Sequence, residues 1–363
     1  MRAQETTHAA LAAATRTRRP ASAAKRKLTV AVTGPTGQIG RPFMAALERT
    51  PQVGRVIGMA RRPFDPTRHG WKKVEYRRGD ILDRDALDAL MAGADVVVHL
   101  AFIVFAGRGA SREINLTGSR NVFEAAVAAK AKRLLYTSSV AAYGFHDDAP
   151  ALLTEDVPAR GTERLPYSAQ KAEVETELAE ALAGSHTEAF VFRPCIVAGP
   201  HATGLIQSIP LIDLGERLPG LRTLSARVPL LKPLLPDPGV PFQLVHEEDV
   251  AAALRAAVLG RGKSGVYNLA GPGEITASDL AHELGWYAVP VPKLAVDATA
   301  EIVARLVFLP NEASWIEAGR RPVLMDTTRA QRELHWRPHC DARETLRQTV
   351  AAWRRKPAVA VVS

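Results

Sequence analysis

The sequence LTVAVTGPTGQIG, residues 28–40, decides the fold of this 363-residue chain. Residues 28–33 are all β-branched or apolar and predict a buried strand. Three glycines follow at positions 34, 37 and 40, and residues 43–48 begin a helical spacing of apolar side chains. A strand, a glycine-rich turn and a helix in this order predict the opening of a βαβ unit.

The glycine-rich turn is also suited to hold a phosphate group. Glycines let backbone N–H groups and the helix N-terminus approach a pyrophosphate, and the last glycine allows the helix to pack closely on the strand. Such turns also occur in ordinary loops, but a position between a strand and a helix favours dinucleotide binding. We expect the dinucleotide to contact Gly34, Gly37, Gln38, Ile39 and Gly40.

The chain then continues to alternate predicted strands with predicted helices. The predicted strands are residues 55–60, 74–76, 94–100, 133–137 and 189–192, and the predicted helices between them include 84–92 and 114–131. Because these strands are apolar on both faces, they predict an α/β fold with a parallel sheet that is covered on both sides.

Frequent prolines after residue 200 indicate where a second, smaller lobe begins. We assign residues 28–200 to the first domain and 201–242, with most of 271–352, to the smaller lobe. Residues 243–270 are predicted to return to the first domain and to include a strand at 266–269. Residues 1–27 and 353–363 are predicted tails, the first of them basic and disordered.

Composition narrows the class of protein. Of the net charge of +9, residues 1–27 carry +6, so the remaining body is too weakly basic to predict nucleic-acid binding. No apolar run approaches the roughly 18 residues of a membrane-spanning helix. The two cysteines, Cys195 and Cys340, lack the spacing of a disulfide framework or a zinc site. We therefore expect a soluble, cytoplasmic protein without a metal.

The choice between NAD and NADP depends on the end of the second predicted strand. A carboxylate at this point would hold the ribose hydroxyls of NAD, but the sequence has Arg61 and Arg62 there. Arginine pairs well with a 2′-phosphate, which favours NADP(H) over NAD(H), although both arginines are also compatible with a solvated loop. Asp80 and Ile81 follow the third strand and suit an adenine edge and ring, although Asp80 also suits a simple turn.

Tyr167 and Lys171 are four residues apart and therefore lie on one face of a predicted helix. A lysine beside a tyrosine favours the phenolate, which makes Tyr167 a candidate proton-transfer group. Ser139 follows the fifth predicted strand, at the sheet edge where ligands bind in parallel α/β folds. Its hydroxyl could hold a substrate oxygen, or could cap a turn.

Other histidines and acids are interpreted without a chemical role. Three histidines lack ligand spacing and a nucleophile partner, so we interpret them as core or surface residues; they are His99, His201 and His246. The acids after the last of these are interpreted as caps of the next helix; they are Glu247, Glu248 and Asp249.

In combination these motifs resemble the NAD-dependent epimerase/dehydratase family, the extended short-chain dehydrogenase/reductases, over about residues 28–352. The matching motifs are residues 33–40, Gly79-Asp80-Ile81, His99-Leu100-Ala101, 115–121, 136–139 with Tyr143-Gly144, 167–171, Phe192-Arg193-Pro194 with Gly199-Pro200, 246–249, Tyr267-Asn268 and 334–338.

The resemblance implies a Rossmann doubly wound parallel sheet, a smaller C-terminal substrate-binding lobe and often a homodimer formed through the helix of Tyr167 and Lys171. Ser139 corresponds to the catalytic Ser/Thr of the family, with Ser138 as the alternative if the register differs by one. Asn115 corresponds to an asparagine near the nicotinamide ribose. Further cofactor contacts are implied at Leu100, Ala101, Pro194, Tyr167 and Lys171.

Arg61 resembles the arginine of NADP-using relatives, whereas many sugar-nucleotide epimerases carry Asp at the place of Ala60. Our leading hypothesis is an NADP(H)-linked oxidoreductase that acts on an alcohol or ketone. One alternative is a nucleotide-sugar epimerase or dehydratase that retains NAD, and another is a non-catalytic NADP(H)-binding redox sensor. Basic side chains that could meet a sugar-nucleotide diphosphate are Arg217, Arg222, Arg227 and Lys232.

Overall fold

A seven-stranded parallel sheet lies at the centre of the computed structural model, which describes residues 26–104, 108–207, 209, 232–292, 295 and 321–355. The thirteen strands in these ranges are β1 (Leu28–Thr33), β2 (Val53–Ala60), β3 (Val74–Arg78), β4 (Val96–His99), β5 (Arg133–Thr137), β6 (Leu152–Leu153), β7 (Glu188–Pro194), β8 (Ile196–Ala198), β9 (Leu234–Asp237), β10 (Leu244–His246), β11 (Gly265–Leu269), β12 (Tyr287–Pro290) and β13 (Leu324–Met325).

Helices cover both faces of this sheet. Those in the described ranges are α1 (Gly40–Glu48), α2 (Arg84–Met91), α3 (Arg108–Ala128), α4 (Pro166–Ala181), α5 (Gly204–Gln207), α6 (Glu247–Val258), α7 (Ala277–Leu284), α8 (Thr328–Glu333) and α9 (Ala342–Arg355). Short 3-10 turns span Pro66–His69 and Val140–Tyr143.

The strand order is β3-β2-β1-β4-β5-β7-β11, and every neighbouring pair is parallel. The connections from β1 run first towards β3 and then, from β4 onwards, in the opposite direction. This reversal creates a crevice at the carboxyl ends of β1 and β4, where open α/β sheets bind ligands. The predicted doubly wound Rossmann fold is confirmed.

The apolar strands bury both faces, as predicted. Val30 and Val32 pack into one core cluster, which includes Phe43 of α1, whereas Ala31 packs into a second cluster with Val122 of α3. Successive strand residues face opposite sides of a sheet, so alternation between two cores requires apolar residues at every position.

Element boundaries differ from the prediction by a few residues. Helix α1 begins at Gly40 rather than at 43, and α3 begins at Arg108 rather than at 114. At its other end α3 stops at Ala128, and Lys130 adopts a left-handed backbone with φ of 55°, which terminates the helical path.

The folded part of the chain extends into both of the predicted tails. Arg26 forms an ion pair with the buried Asp95, so the fold begins before residue 28. Trp353 is buried in α9, which extends to Arg355, so the C-terminal tail cannot begin at 353. Residues 1–25 and 356–363 lie outside the described residues.

A third core cluster includes residues of the predicted smaller lobe together with Ala198 and Leu244. It contains Ile206, Leu280, Leu346 and Trp353, and β9 pairs in parallel with β12 beside it. The proline-rich residues 210–231 lie outside the described residues, and with them the basic side chains at 217, 222 and 227. Within the described part of the chain, no helix is both long and apolar enough to cross a membrane.

The acids at the start of α6 connect segments rather than cap the helix. The cap is His246, whose Nδ1 accepts from the Glu248 backbone N–H at 3.2 Å. The Glu247 carboxylate accepts from His201 N at 2.9 Å and from His201 Nδ1 at 2.6 Å. The interpretation of Glu247 and Asp249 as caps was wrong, because their carboxylates bind residues distant in sequence, His201 and His339.

His99 is a core histidine at the end of β4. Its Nδ1 lies 2.7 Å from Thr33 Oγ1, and its Nε2 lies 2.9 Å from Ser119 Oγ. Burial, assisted by the charge of nearby Lys171, lowers the pKa of His99 to about 3. The imidazole is therefore neutral and links β1, β4 and α3.

Acidification is expected to destabilise the fold through His99. An unfolded histidine has a pKa of about 6.5, so below that pH the unfolded chain binds more protons and the free energy of unfolding falls. Between pH 7.5 and pH 5 this residue alone should remove about 2 kcal/mol of stability. Chemical denaturation at pH 7.5 and at pH 5 measures the decrease in the free energy of unfolding. This decrease should be about 2 kcal/mol smaller in His99→Asn than in wild type. Equal falls in the two proteins would contradict the assignment.

Candidate active site

The glycine-rich turn passes directly over the end of β4. Gly34 has a φ of +75°, and a Cβ atom there would lie 2.7 Å from Ala101 N and 2.9 Å from the carbonyl carbon of Leu100. A side chain would therefore clash with the backbone after β4, and the left-handed conformation itself favours glycine. This contact brings the turn together with Leu100 and Ala101, where cofactor contacts stay a prediction.

The other two glycines of the turn differ in what surrounds them. A Cβ at Gly40 would lie 2.6 Å from Pro35 C and 2.7 Å from Pro35 O, so the protein itself excludes a side chain. A Cβ at Gly37 would meet only Gly34 O, at an ordinary 3.5 Å. Packing within the turn therefore does not require glycine at position 37, whose open side leaves room for a ligand.

The start of α1 offers backbone N–H groups to a ligand. Ile39 is the N-cap residue and makes no side-chain cap, and the first turn carries no acid. The Ile39 side chain packs against the core, and Gln38 lies beside Gly204 of α5. Gln38 and Ile39 are therefore expected to meet a phosphate through their backbone, where the helix dipole also favours an anion.

The end of β2 holds two exposed arginines. The Arg78 Nε donates to Arg61 O at 3.0 Å, and the Tyr76 hydroxyl donates to Arg62 O, so the backbone is anchored on β3. The side chains of Arg61 and Arg62 are exposed and form no ion pair within the described ranges. Both guanidinium groups are available to an anionic ligand.

Asp80 and Ile81, for which adenine contacts stay a prediction, also have partners within the protein. Asp80 Oδ1 accepts from Leu82 N at 3.1 Å, which is the simple turn role considered above. The Ile81 side chain is only 7% exposed and packs against Gly118 of α3. Burial leaves Ile81 little surface for an adenine ring.

The two serines after β5 have different roles. The Ser138 Oγ donates to Glu175 Oε1 at 2.6 Å, and Glu175 forms a buried ion pair with Arg193. The Ser139 Oγ accepts from Ala141 N at 3.1 Å and hydrogen-bonds Tyr167. Ser139 rather than Ser138 therefore belongs to the candidate site, with a cap role as well.

Tyr167 lies in the first turn of α4, which begins at Pro166. The Phe102 ring contacts it edge-on, with centroids 5.6 Å apart and an interplanar angle of 89°. Burial raises the pKa of Tyr167 to about 12, and the hydrogen bond with Ser139 opposes the shift. The phenol is therefore protonated at neutral pH.

Lys171 lies one turn further along α4 and is only 3% exposed. Its Nζ donates to Thr137 O at 2.9 Å and to the Tyr136 hydroxyl at 3.3 Å. Its Nζ also lies 3.7 Å from the centroid of the Phe102 ring and 5.9 Å from that of Tyr167. Burial lowers the pKa of Lys171 to about 7, against an opposing effect of Glu175.

Asn115 positions two parts of the site from a fully buried place in α3. Its Oδ1 accepts from Ile103 N at 2.8 Å, and its Nδ2 donates to Ile103 O at 2.9 Å and to Gln170 Oε1 at 2.8 Å. It thus fixes the segment after β4 against α4. Pro194 is buried at the end of β7, on the same edge of the sheet.

Sequence reasoning did not assign roles to Phe102 and Gln170. Phe102 lies directly after β4, at the edge of the sheet where parallel α/β folds bind ligands. Gln170 lies between Tyr167 and Lys171 in sequence, but it faces α3 instead of the sheet, so only the fold reveals its bond to Asn115.

A family model for the NAD-dependent epimerase/dehydratase family matches residues 30–270, about two thirds of the chain. The chain belongs to this family. The recognition from motifs is confirmed, and the protein is an enzyme of the NAD(P)-dependent epimerase, dehydratase and dehydrogenase group.

Two relatives are oxidoreductases by name. Human 3 beta-hydroxysteroid dehydrogenase type 7 is 34% identical over 170 residues, which are 44% of this chain and 46% of the human protein. Ceramide reductase of Caulobacter vibrioides is 32% identical over 239 residues, 64% of this chain and 62% of that protein. The chain thus matches about half of the length of the first relative and less than two thirds of the length of the second.

A solved structure extends the similarity of fold to most of the chain. UDP-glucuronic acid 4-epimerase from Bacillus cereus, in complex with NAD, matches with a TM-score of 0.66 at 17% identity. The match covers 90% of this chain and 99% of the epimerase. At this identity the similarity establishes the fold only.

The residues present fit the cofactor of the family. Gly37 leaves room beside an uncapped helix start, the turn lies at the reversal point of the sheet, and Lys171 lies on the same edge. These features suit the pyrophosphate and ribose of a dinucleotide.

Two alanine substitutions should separate cofactor binding from stability in the turn. Gly37→Ala is expected to weaken dinucleotide binding by roughly tenfold or more, while the free energy of unfolding changes by less than about 0.5 kcal/mol. Gly40→Ala is expected to lower the free energy of unfolding by about 1–3 kcal/mol, because its Cβ meets backbone. Fluorescence titration and chemical denaturation measure the two effects. Unchanged binding in Gly37→Ala would contradict a pyrophosphate at this turn.

Proposed function

We propose that the protein is an NADP(H)-dependent oxidoreductase that interconverts a ketone and an alcohol on a hydrophobic substrate. The observation that carries this proposal is the contact of Tyr167 with both Ser139 and Phe102. This contact supports the proposal, since Ser139 offers Tyr167 a neighbouring hydroxyl that can hold a substrate oxygen, and Phe102 offers a ring that can pack against an apolar substrate.

The proposed chemistry assigns one task to each side chain. The bound dinucleotide supplies or accepts the hydride. Ser139 hydrogen-bonds the substrate oxygen, and Tyr167 donates a proton to that oxygen in the reductive direction. Its high pKa suits this direction, because the phenol is protonated at neutral pH. Lys171 contributes positive charge when protonated and orients the ribose.

The substrate class is inferred from the apolar segment after β4 and from the relatives. Phe102, Ile103 and Val104 follow the strand directly, and Val104 is 39% exposed. Steroids and ceramides, which the names of two relatives specify, are large apolar molecules with hydroxyl or ketone groups. We therefore favour a lipid-like alcohol or ketone over a nucleotide sugar.

The proposed preference for NADP(H) rests on the exposed Arg61 and Arg62 at the end of β2 and on Ala60 in place of a carboxylate. A guanidinium group binds a phosphate through charge-assisted hydrogen bonds. A homodimer and a cytoplasmic location stay predictions.

The cofactor preference can be tested by titrating the protein with NADPH and NADH. Wild type is expected to bind NADPH roughly tenfold or more tightly than NADH, and Arg61→Ala should lose most of this preference. Arg68→Ala is a matched control, because Arg68 is an exposed arginine of the same domain with 85% side-chain exposure. Equal affinities in wild type, or NAD retained stoichiometrically after purification, would favour a sugar-nucleotide epimerase or dehydratase instead.

The catalytic roles can be tested with steroid and long-chain ketones as substrates and NADPH oxidation as the readout. Tyr167→Phe and Ser139→Ala are each expected to lower kcat by roughly 10² or more. Ser138→Ala is the matched control. It loses the hydrogen bond to Glu175 and about 1 kcal/mol of stability, but should keep kcat within about threefold. Wild-type kcat in Tyr167→Phe would refute the role of Tyr167. Equal losses of kcat in Ser138→Ala and Ser139→Ala would refute the role of Ser139.

A further inference from the structure

Three side chains that are far apart in sequence converge outside the candidate active site. A ring nitrogen of His246, a ring nitrogen of His339 and the Cys340 sulfur all lie within 4.8 Å of one another. His246 ends β10, whereas His339 and Cys340 precede α9. The cluster therefore joins the first domain to the segment that enters the smaller lobe.

One nitrogen of this cluster is buried without a partner. His246 is 2% exposed, and its Nδ1 accepts from Glu248 N, while its Nε2 has no hydrogen-bond partner among the described residues. A buried polar atom left unsatisfied is destabilising, so its presence calls for a ligand. The second carboxylate oxygen of Asp249, Oδ2, is also buried and without a hydrogen bond in this region.

His339 is already oriented as a metal ligand would be. Its Nδ1 lies 2.6 Å from Asp249 Oδ1, so Nδ1 carries the proton and Nε2 presents a lone pair. A carboxylate behind a ligating histidine fixes the ring and raises its basicity. The segment is held in place by Trp336 Nε1, which donates to Asp249 O at 2.8 Å.

The charge around the cluster also favours a cation. Glu248 Oε2 lies 3.9 Å from His339 Nε2. The carboxylates of Glu248 and Asp249 both lie at the cluster, and a divalent cation would offset their negative charge.

We propose that His246, His339 and Cys340 form a site for a divalent transition-metal ion, with Zn²⁺ as the preferred occupant. Two imidazole nitrogens and a thiolate are ligands that zinc favours, and a water or the Glu248 carboxylate would complete four-coordination. In tetrahedral zinc sites such atoms are about 3.4–3.6 Å apart, so binding would draw the groups together by about 1 Å.

Metal binding would change the protonation of two of the ligands. Cys340 releases its thiol proton to solvent when the metal–sulfur bond forms. The proton of His246 moves from Nε2 to Nδ1 through solvent, and the 3.2 Å bond from Glu248 N to that Nδ1 is lost. The His339 side chain is half exposed and provides an entry path for the ion. Such a metal would stabilise the junction between the two lobes and is independent of the proposed hydride transfer.

The test uses the full chain without an affinity tag, stripped of metal by a chelator. Zn²⁺ is titrated in competition with a chromophoric chelator, and Co²⁺ is added separately to reveal thiolate-to-cobalt charge-transfer absorption. We expect binding of one ion per chain, the absorption band, and a higher Tm with Zn²⁺ than without it. No stoichiometric binding of either ion would overturn the proposal.

Variants locate the site. Cys340→Ser should abolish the cobalt band, and Cys195→Ser, which changes the other buried cysteine, should retain it. His339→Ala should weaken Zn²⁺ binding by roughly 100-fold, and the exposed His282→Ala should not. Because His339 is half exposed, its substitution tests the site without removing a core side chain. Binding that is equal in wild type, Cys340→Ser and His339→Ala would place the metal elsewhere and overturn the assignment.

Discussion

The close approach of Gly34 to the backbone after β4 is the constraint on which the rest of the site depends. No Cβ fits between this turn and Leu100–Ala101, so β1 and β4 leave the sheet in contact with each other. That contact sets the crevice at the reversal point of the sheet and directs Phe102 towards α4. The glycine-rich turn and the segment that contacts Tyr167 are adjacent because the backbone is close here, not because the residues are near in sequence.

Burial determines the electrostatics of Tyr167 and Lys171. The Phe102 ring covers the ammonium group of Lys171, whose remaining bonds are to Thr137 O and the Tyr136 hydroxyl. Desolvation raises the pKa of Tyr167 and lowers that of Lys171, so both shifts favour the neutral forms. The phenol of Tyr167 is therefore protonated, as the proposed reduction requires, and the expectation that Lys171 favours its phenolate is not met.

A buried polar network links α4, β7 and β11 beside this site. Glu175 accepts from Ser138 and pairs with Arg193, whose guanidinium group stacks on the Tyr143 ring at 4.3 Å. The Tyr143 hydroxyl donates to Asn268 Oδ1 at 2.7 Å, at the edge strand β11. At the start of α6, Glu247 and Asp249 bind His201 and His339. Hydrogen bonds to charged groups, which are stronger than neutral ones, thus hold the segments around residues 201 and 339 against this helix.

The sequence by itself determined the parallel α/β fold, the glycine-rich turn, the family and the Tyr167–Lys171 pair, because all of these depend on local spacing: apolar periodicity, glycines at fixed offsets and one turn of a helix. Only the tertiary structure decided that Ser139 rather than Ser138 meets Tyr167, that Ile81 is buried and that Phe102 covers Lys171. It also overturned the interpretation of Glu247 and Asp249 as caps and brought His246 together with His339 and Cys340. These outcomes depend on contacts between residues that are far apart in sequence. Ser139 and Tyr167 are separated by 28 residues, and His246 and His339 by 93. Sequence spacing carries no record of such contacts, since packing of whole elements determines which side chains meet.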